Sequence, residues 1–297
     1  AEELKENLPK YDIYCTGSDQ VWNSIWNEKL DRPFYLDFVK NNAPRFAYSA
    51  SFGREKLEEW EMQETKELLS KYSAISVREN SGLKILSDLG IGENAIQVLD
   101  PTLLLKKEDW ENLISDKYKD KQFVLMYNIN RSKELDKYAK EFAKRKGLKL
   151  INLSYSLHDI FKAGKLVANP QVEDFLSLFA YAEFVLTDSF HATSFSINFN
   201  KQFLVYYPKR FSARISSILE ITNLESRVIN GKENDFTLAD IKIDFSYTNK
   251  ILDEKREESR NFIKEVLREA KEIISPIHSF SSQLNLANSH SQGEVIL

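Results

Sequence analysis

One histidine, two aspartates and a set of arginines and lysines carry the chemistry open to this chain. His191 stands in EFVLTDSFHATSFSINF (residues 183–199), where a short apolar run is followed by Thr187, Asp188 and Ser189. Those three residues supply N-cap chemistry for a helix starting near Phe190. His191 then lies in the first turn, beside backbone N–H groups without helical partners, an arrangement suited to an anion. Ala192, Phe195 and Phe199 recur at helical spacing and predict a core-facing side. His191, Ser194 and Asn198 share a polar one. Asp188 either orients His191 or caps the helix. The alternative for the whole segment is a capped core helix with an incidental histidine.

Asp19 belongs to GSDQVWN (residues 17–23), the loop after the strand DIYCT (residues 12–16). It either caps a turn or presents a carboxylate at a strand's carboxyl end, where open α/β sheets bind ligands. Ser18 and Gln20 flank it. Trp22 and Trp26 are packing residues or a platform for a sugar ring. Arg78 closes the strand AISVR (residues 74–78) and pairs with a local acid or meets a ligand. Asn128 and Arg131 lie in the polar loop after FVLMY (residues 123–127). Lys209, Arg210 and Arg214 follow the strand QFLVY (residues 202–206). Cations gathered around a helix N-terminus suit a small, multiply charged anion such as a phosphate.

Positioning these residues takes a regular alternation of strands and helices. Strands at residues 12–16, 46–51, 74–78 and 96–99 make one series, and a second begins at residue 123 with strands at 149–153, 184–186 and 202–206. Such alternation predicts parallel sheets in an α/β chain. We expect two α/β blocks dividing between residues 103 and 122: residues 1–110, residues 123–248, and a tail of residues 249–297. The tail should hold a long charged helix over 249–274, docked through Ile251, Phe262, Val266, Leu267, Ile273 and Ile274, and a loose stretch after Pro276. Residues 158–170 read as irregular. Ligands of such architectures bind in the cleft between blocks. Arg78, Asp100 and the residue 17–20 loop should approach from one side. Asn128, the turn carrying His191, and Lys209 to Arg214 should approach from the other.

Composition narrows the function. The chain has 297 residues and a formal net charge of −4, which gives no polyelectrolyte signal for nucleic acid. Its single cysteine, Cys15, excludes an internal disulfide framework and fits a reducing, cytoplasmic setting. Four scattered histidines make no zinc pattern, so no metal site is expected. No apolar run is long enough to span a membrane.

The pieces YDIYCTGSDQVWN, AISVREN, VLDPTLLL with EDW, VLTDSFHATSFSI with KQF, and SARISSIL with Arg227 occur in that order between about residues 11 and 230. Together they resemble the polysaccharide pyruvyl transferase family. The resemblance implies two Rossmann-like blocks in a GT-B-like arrangement, the first facing the acceptor and the second the donor. It implies transfer of a pyruvyl unit from phosphoenolpyruvate to two hydroxyls of a sugar, oligosaccharide or lipid-linked glycan, forming a ketal. No other cofactor is implied. The family's catalytic histidine falls on His191, with Asp19 as the candidate partner at the sugar hydroxyl. Some members read Arg-Leu-His where this chain reads Ser189-Phe190-His191, so the family's phosphate-binding arginine has no counterpart at Ser189. Lys209, Arg210, Arg214 or Arg131 are the candidate replacements. The chain also enters inside a helix that family members precede with a further strand and helix, which implies an N-terminal block lacking its first unit. Two rival functions stay open: a GT-B-type glycosyltransferase using a nucleotide sugar, and a non-catalytic glycan-binding member.

Overall fold

The computed structural model describes residues 2–7, 11–39, 43–210, 212–229 and 235–290. Two separate all-parallel sheets organise the chain. The first holds β1 (Tyr14–Thr16), β2 (Arg45–Ala50), β3 (Ala74–Val77) and β4 (Ile96–Gln97), in the order β1-β2-β3-β4. The second holds β5 (Phe123–Tyr127), β6 (Lys149–Ser154), β7 (Lys165–Ala168), β8 (Phe184–Thr187), β9 (Phe203–Tyr206) and β10 (Val228–Ile229). Its order is β10-β9-β8-β5-β6-β7. Counted from β5, that is the doubly wound dinucleotide-fold order 3-2-1-4-5-6 read backwards, with its switch point between β5 and β8.

Parallel strands in such a sheet are covered on both faces, so their residues alternate between two cores. Leu125 and Val185 pack with the helices Val172–Tyr181, Phe190–Asn198 and Ala213–Ile221. Val124, Met126 and Leu186 pack on the helix Lys133–Lys146. That helix starts as its sequence demands, with the Ser132 hydroxyl accepting the Leu135 N–H, and ends at Gly147 in a left-handed turn.

The first sheet poses a different problem. Its strands follow one another in chain order, and right-handed crossovers then place every connecting helix on one face. Leu68, Leu69, Ile85 and Leu86 of the helices Glu59–Leu69 and Asn80–Asp88 cover that face, over Ala47, Ile75 and Val77. The other face is closed by the last helix, Ser246–His290, whose Val266, Phe262 and Ile263 pack on Phe46, Tyr48 and Val98. Near its start the same helix buries Leu252 in the second block. It therefore bridges the two blocks, and hydrogen bonds pin it at the seam. The Arg256 guanidinium donates to the Leu103 carbonyl at 2.8 Å and to Asn198 Oδ1 at 3.0 Å. The Leu99 N–H donates to Ser259 Oγ at 3.0 Å.

Several expectations need correction. Residues 165–168 form β7 rather than irregular chain, because Leu166 and Val167 complete the edge beside β6. The strand β10 has no counterpart in the reading of the sequence; it is only two residues long, too short for a periodic signal. Leu267 and Ile273 are exposed rather than docked, since Val266 and Ala270 occupy the buried side of the helix. The helix also continues past Pro276 to His290. A proline deletes one backbone donor and weakens a helix there without forbidding it. Residues 291–297 of the expected loose tail lie outside the described residues.

Gly17 shows how tightly the first site loop is seated. Its φ is +104°, and a Cβ there would lie 2.1 Å from the Tyr48 carbonyl oxygen. We expect Gly17→Ala to lower the midpoint of thermal unfolding, because both the backbone conformation and the space reject a methyl group. An unchanged midpoint would contradict this seating of the loop.

Candidate functional site

The site gathers at the carboxyl ends of both sheets, where the blocks meet, and Arg78 is its centre. Arg78 follows β3, and its side chain is 1% exposed. One guanidinium nitrogen donates to Asp100 Oδ2 at 2.8 Å and the other to Asp19 Oδ1 at 2.8 Å. Its Nε lies 3.9 Å from Glu79 Oε2. The guanidinium plane stacks 4.2 Å from the centroid of Phe190, which belongs to the second block. Burial works against its charge, but Asp100, Glu79 and Asp19 outweigh that and hold Arg78 ionised.

Asp19 is delivered by a loop with a left-handed φ of 68°, pinned when its carbonyl accepts the Ser51 N–H at 2.9 Å. Its carboxylate is 53% exposed. Asp100 caps the short helix Pro101–Leu104 through the Thr102 N–H. For both aspartates burial works to raise the pKa, and Arg78 and His191 overcome it, so both sit below the usual carboxylate range.

His191 enters from the opposite block. Ser189 caps its helix by accepting the Ala192 N–H at 3.4 Å. His191 Nε2 lies 4.0 Å from Asp100 Oδ2, and the side chain is 37% exposed. Burial lowers its pKa below 6.5, assisted by the charges of Arg78 and Arg214 and resisted by Asp100 and Asp19. The imidazole is therefore neutral at physiological pH, with a carboxylate placed to stabilise it once protonated. Arg214 completes the cluster, with Nη1 3.8 Å from Asp19 Oδ1. Its pKa is pushed down to about 10, chiefly by burial and then by the like charge of Arg78, which leaves it ionised at neutral pH. Among the described residues its Nε is buried without a hydrogen-bond partner.

The sequence-derived candidates divide into three groups. Asp19, Arg78, His191 and Arg214 come together as described. Arg131, Asp188, Lys209 and Arg210 line a cavity of about 610 Å³ with Ile25 and Trp26. Lys209 and Arg210 were expected beside His191; the cavity's lining includes none of Asp19, Arg78, Asp100, His191 or Arg214. The third group serves the fold. Trp22 is 1% exposed and stacks on Tyr35 at 5.9 Å, so it cannot form a sugar platform. Gln20 accepts a hydrogen bond from the Asn23 side chain at 2.8 Å, which braces the loop. Asn128 is buried and holds Ser132 and Asp136 at 2.7 and 2.8 Å. Ser189 is buried as the cap. Asp188 neither orients His191 nor caps its helix: its carboxylate accepts the Ile129 and Asn130 N–H groups at 2.8 and 3.0 Å. Ser18 is half-buried beside Asp19. Ser194 and Asn198, expected on a polar face with His191, are both buried: the Ser194 hydroxyl donates to the Phe190 carbonyl of its own helix, and Asn198 donates to the Thr102 and Leu105 carbonyls at the seam.

Phe190 and Glu79 belong to the site and were not anticipated. Phe190 read as an apolar neighbour of His191, and nothing in its type announces that it seats a guanidinium. Among the described residues no group of three or more His, Cys, Asp or Glu could hold a metal ion, and no helix is long and apolar enough to cross a membrane.

The fold and the cleft define a GT-B-like protein of two Rossmann-like blocks with a charged site at their junction. A solved UDP-N-acetylglucosamine 2-epimerase from Rickettsia bellii shares this fold, with a TM-score of 0.56, 14% identity, and coverage of 92% of this chain and 77% of that one. The corresponding enzyme from Neisseria meningitidis, bound to UDP-GlcNAc, has a TM-score of 0.51 at 12% identity, covering 90% of this chain and 78% of that one. At such identities the likeness concerns fold alone. No curated protein matches the chain. The family model described as polysaccharide pyruvyl transferase matches residues 2–210, and the chain belongs to that family.

Removing Arg78 leaves buried carboxylates uncompensated, so Arg78→Met should destabilise the protein by about 3–5 kcal/mol. The pH dependence has a definite sign. Asp19 and Asp100 are held below their unfolded value of about 3.9, so their contribution is present above that value and fades as pH falls through their folded values. Denaturant unfolding between pH 6 and pH 3 should show a shallower loss of stability in Asp100→Asn than in the wild type. Equal slopes would refute the coupling.

Proposed function

We propose that the protein transfers a pyruvyl unit from phosphoenolpyruvate to two hydroxyls of a sugar in a polysaccharide or its precursor, forming a ketal and releasing phosphate. The observation that carries this reading is His191, neutral and backed by Asp100, in a cleft with Arg214, in a member of this family. The second block would serve the donor and the first the acceptor.

The first sugar hydroxyl adds to C2 of the donor while the methylene carbon gains a proton. His191 takes the hydroxyl proton, Asp100 stabilises the imidazolium, and the imidazolium supplies the proton that the methylene carbon gains. The C2–O bond to phosphate then breaks, the second hydroxyl forms the second C2–O bond, and its proton leaves with the phosphate. Arg214 neutralises donor charge; its buried, unpartnered Nε is a donor available to an anion. Arg78 donates through both terminal nitrogens to Asp19 and Asp100 and acts by holding them; its Nε, 3.9 Å from Glu79, is buried without a hydrogen-bond partner among the described residues. Asp19 is too acidic in this setting for a strong base, so its exposed oxygen orients a sugar hydroxyl. A cytoplasmic location is part of this proposal, since phosphoenolpyruvate is a metabolite of that compartment.

A nucleotide-sugar glycosyltransferase is the second reading, favoured by the fold shared with a protein whose structure holds UDP-GlcNAc. The deciding experiment incubates the protein with phosphoenolpyruvate and a panel of lipid-linked and nucleotide-linked sugars, following phosphate release and the mass gained by the sugar. Stabilisation by nucleotide sugars with no turnover of phosphoenolpyruvate would favour the rival.

On a proven acceptor, His191→Ala and His191→Asn should each lower kcat at least about 10²-fold, with unfolding midpoints close to wild type. The acid limb of the kcat/KM profile should lie below pH 6.5, about the unperturbed histidine value, because the free protein needs a neutral imidazole. More than a tenth of wild-type turnover in His191→Ala would make His191 a structural residue. Arg214→Met should raise KM for phosphoenolpyruvate more than it lowers kcat.

A further inference from the structure

One turn of the second block holds two bulky apolar side chains out in solvent. Phe161 is 93% exposed and its neighbour Ile160 is 64% exposed. Both end the short 3₁₀ helix Leu157–Phe161, in the connection from β6 to β7. Single exposed apolar residues are ordinary, and a loose loop could fold two of them inwards. This turn is not loose, because it is built on Asp159, which is 7% exposed. The Asp159 carboxylate accepts the Ser154 hydroxyl at 2.6 Å and lies 3.4 Å from Lys162 Nζ and 3.8 Å from Arg131 Nε. The Asp159 N–H donates to the Ser156 carbonyl at 3.1 Å, and the Asp159 carbonyl accepts the Lys162 N–H at 3.1 Å. With Asp159 tied inwards, the two residues after it are held outwards.

The same face of the second sheet carries a line of positive charge. Lys133, Lys137, Lys140 and Lys144 recur at intervals of four, three and four residues in the helix Lys133–Lys146, and all are exposed. That spacing sets them along one line about 16 Å long, at a rise of about 1.5 Å per residue. The opposite side of the helix buries Leu135, Tyr138 and Phe142, so the line faces away from the core. Of the acids in that helix, Glu134 accepts the Ser132 hydroxyl at 2.9 Å, Asp136 accepts the Asn128 side chain at 2.8 Å, and Glu141 is half-buried. The helix packs on Leu150 together with Val124 and Leu186. The connection to β7 crosses that same side, since a Cβ at Gly164 would lie 2.8 Å from Leu150 Cγ. Arg131, just before the helix, joins the two features by donating to Ser156 Oγ at 2.9 Å.

We propose that this face docks on an anionic lipid surface, with Ile160 and Phe161 entering the headgroup region and the lysine line lying over lipid phosphates. Stable attachment without a spanning helix takes more than one signal, and this face has two: apolar side chains to insert and cations to meet the surface charge. A second copy of the chain fits less well. The lysine lines of two copies would repel, and two side chains fall far short of the about 800 Å² per partner that stable protein interfaces bury. A nucleic acid would answer the lysines but not Ile160, which offers no flat ring for a base. None of these residues belongs to the cluster around Arg78, so the docking stands whether or not the protein transfers pyruvate.

The test is co-sedimentation of the whole chain with vesicles of phosphatidylcholine alone and of phosphatidylcholine mixed equally with phosphatidylglycerol. The mixed vesicles should bind at least about tenfold more tightly, and added salt should weaken that binding. Lys140→Gln/Lys144→Gln should weaken it at least about tenfold, on the two surface cations removed. Phe161→Ser should weaken it about tenfold through the lost apolar insertion. In Phe161→Trp, brominated acyl chains should quench more emission than in the wild type, which reads insertion directly. All these positions are exposed, and circular dichroism of each variant checks that it is folded. Equal binding to both vesicles, wild-type affinity in either weakened variant, or no added quenching overturns the proposal. Salt-sensitive binding of a single-stranded oligonucleotide with no binding to vesicles overturns it in favour of a nucleic-acid surface. Dimerisation lost in Phe161→Ser, again with no binding to vesicles, overturns it in favour of a contact between copies.

Discussion

The junction depends on one buried cation. Arg78 leaves the first block, ties down Asp19 and Asp100 of that block, and lays its plane against Phe190 of the second. A buried guanidinium is costly unless its charge is compensated, and Asp100, Glu79 and Asp19 compensate this one. Because its partners come from separate loops and its stacking surface from the other block, satisfying it requires all these segments to be in register. The catalytic geometry proposed here is the residue of that requirement: the oxygen of Asp100 that holds Arg78 is also the one facing His191.

Connections across the seam follow the same pattern of local demand and distant supply. Ser217 of the second block accepts the Asn80 N–H at 3.2 Å and a hydrogen bond from Gln97 at 2.8 Å, both from the first. The last helix supplies Arg256 to the Leu103 carbonyl and covers a sheet face that the crossovers leave bare. These contacts tie the two blocks together across the cleft, which matters for the proposed reaction, since it needs two hydroxyls and a donor carbon within bonding reach.

The strands, the capped helix at Phe190 and the split into two parallel sheets are legible in the sequence because each rests on local periodicity and capping chemistry. So is the arrival of Asp19, Arg78 and His191 at strand carboxyl ends. What the residues alone withhold is which side chains are already spent. Trp22 and Trp26 are four positions apart in one loop and of identical type, yet one is core and the other surface. Asp188 looks like a partner of the nearby His191 and instead ties down the Ile129 and Asn130 amides, while the histidine's carboxylate, Asp100, lies 91 positions earlier. Long-range pairing of this kind leaves no periodic signal.

The electrostatics also assign order to the proposed chemistry. In the protein by itself Arg78 and Arg214 are ionised and His191 is neutral, so in the proposed scheme the first group to act on a hydroxyl is a base. An arriving anion beside His191 raises its pKa, since a neighbouring negative charge favours the protonated ring. In the proposed scheme the donor thereby favours the imidazolium that His191 becomes on taking the hydroxyl proton. A histidine protonated beforehand would be repelled by the two guanidinium groups already present, whereas one that charges only as the hydroxyl gives up its proton would be stabilised on two sides, by Asp100 and by the donor. The lowered pKa of the free imidazole thus suits the base that acts first, and is not a departure from what an acid–base residue requires.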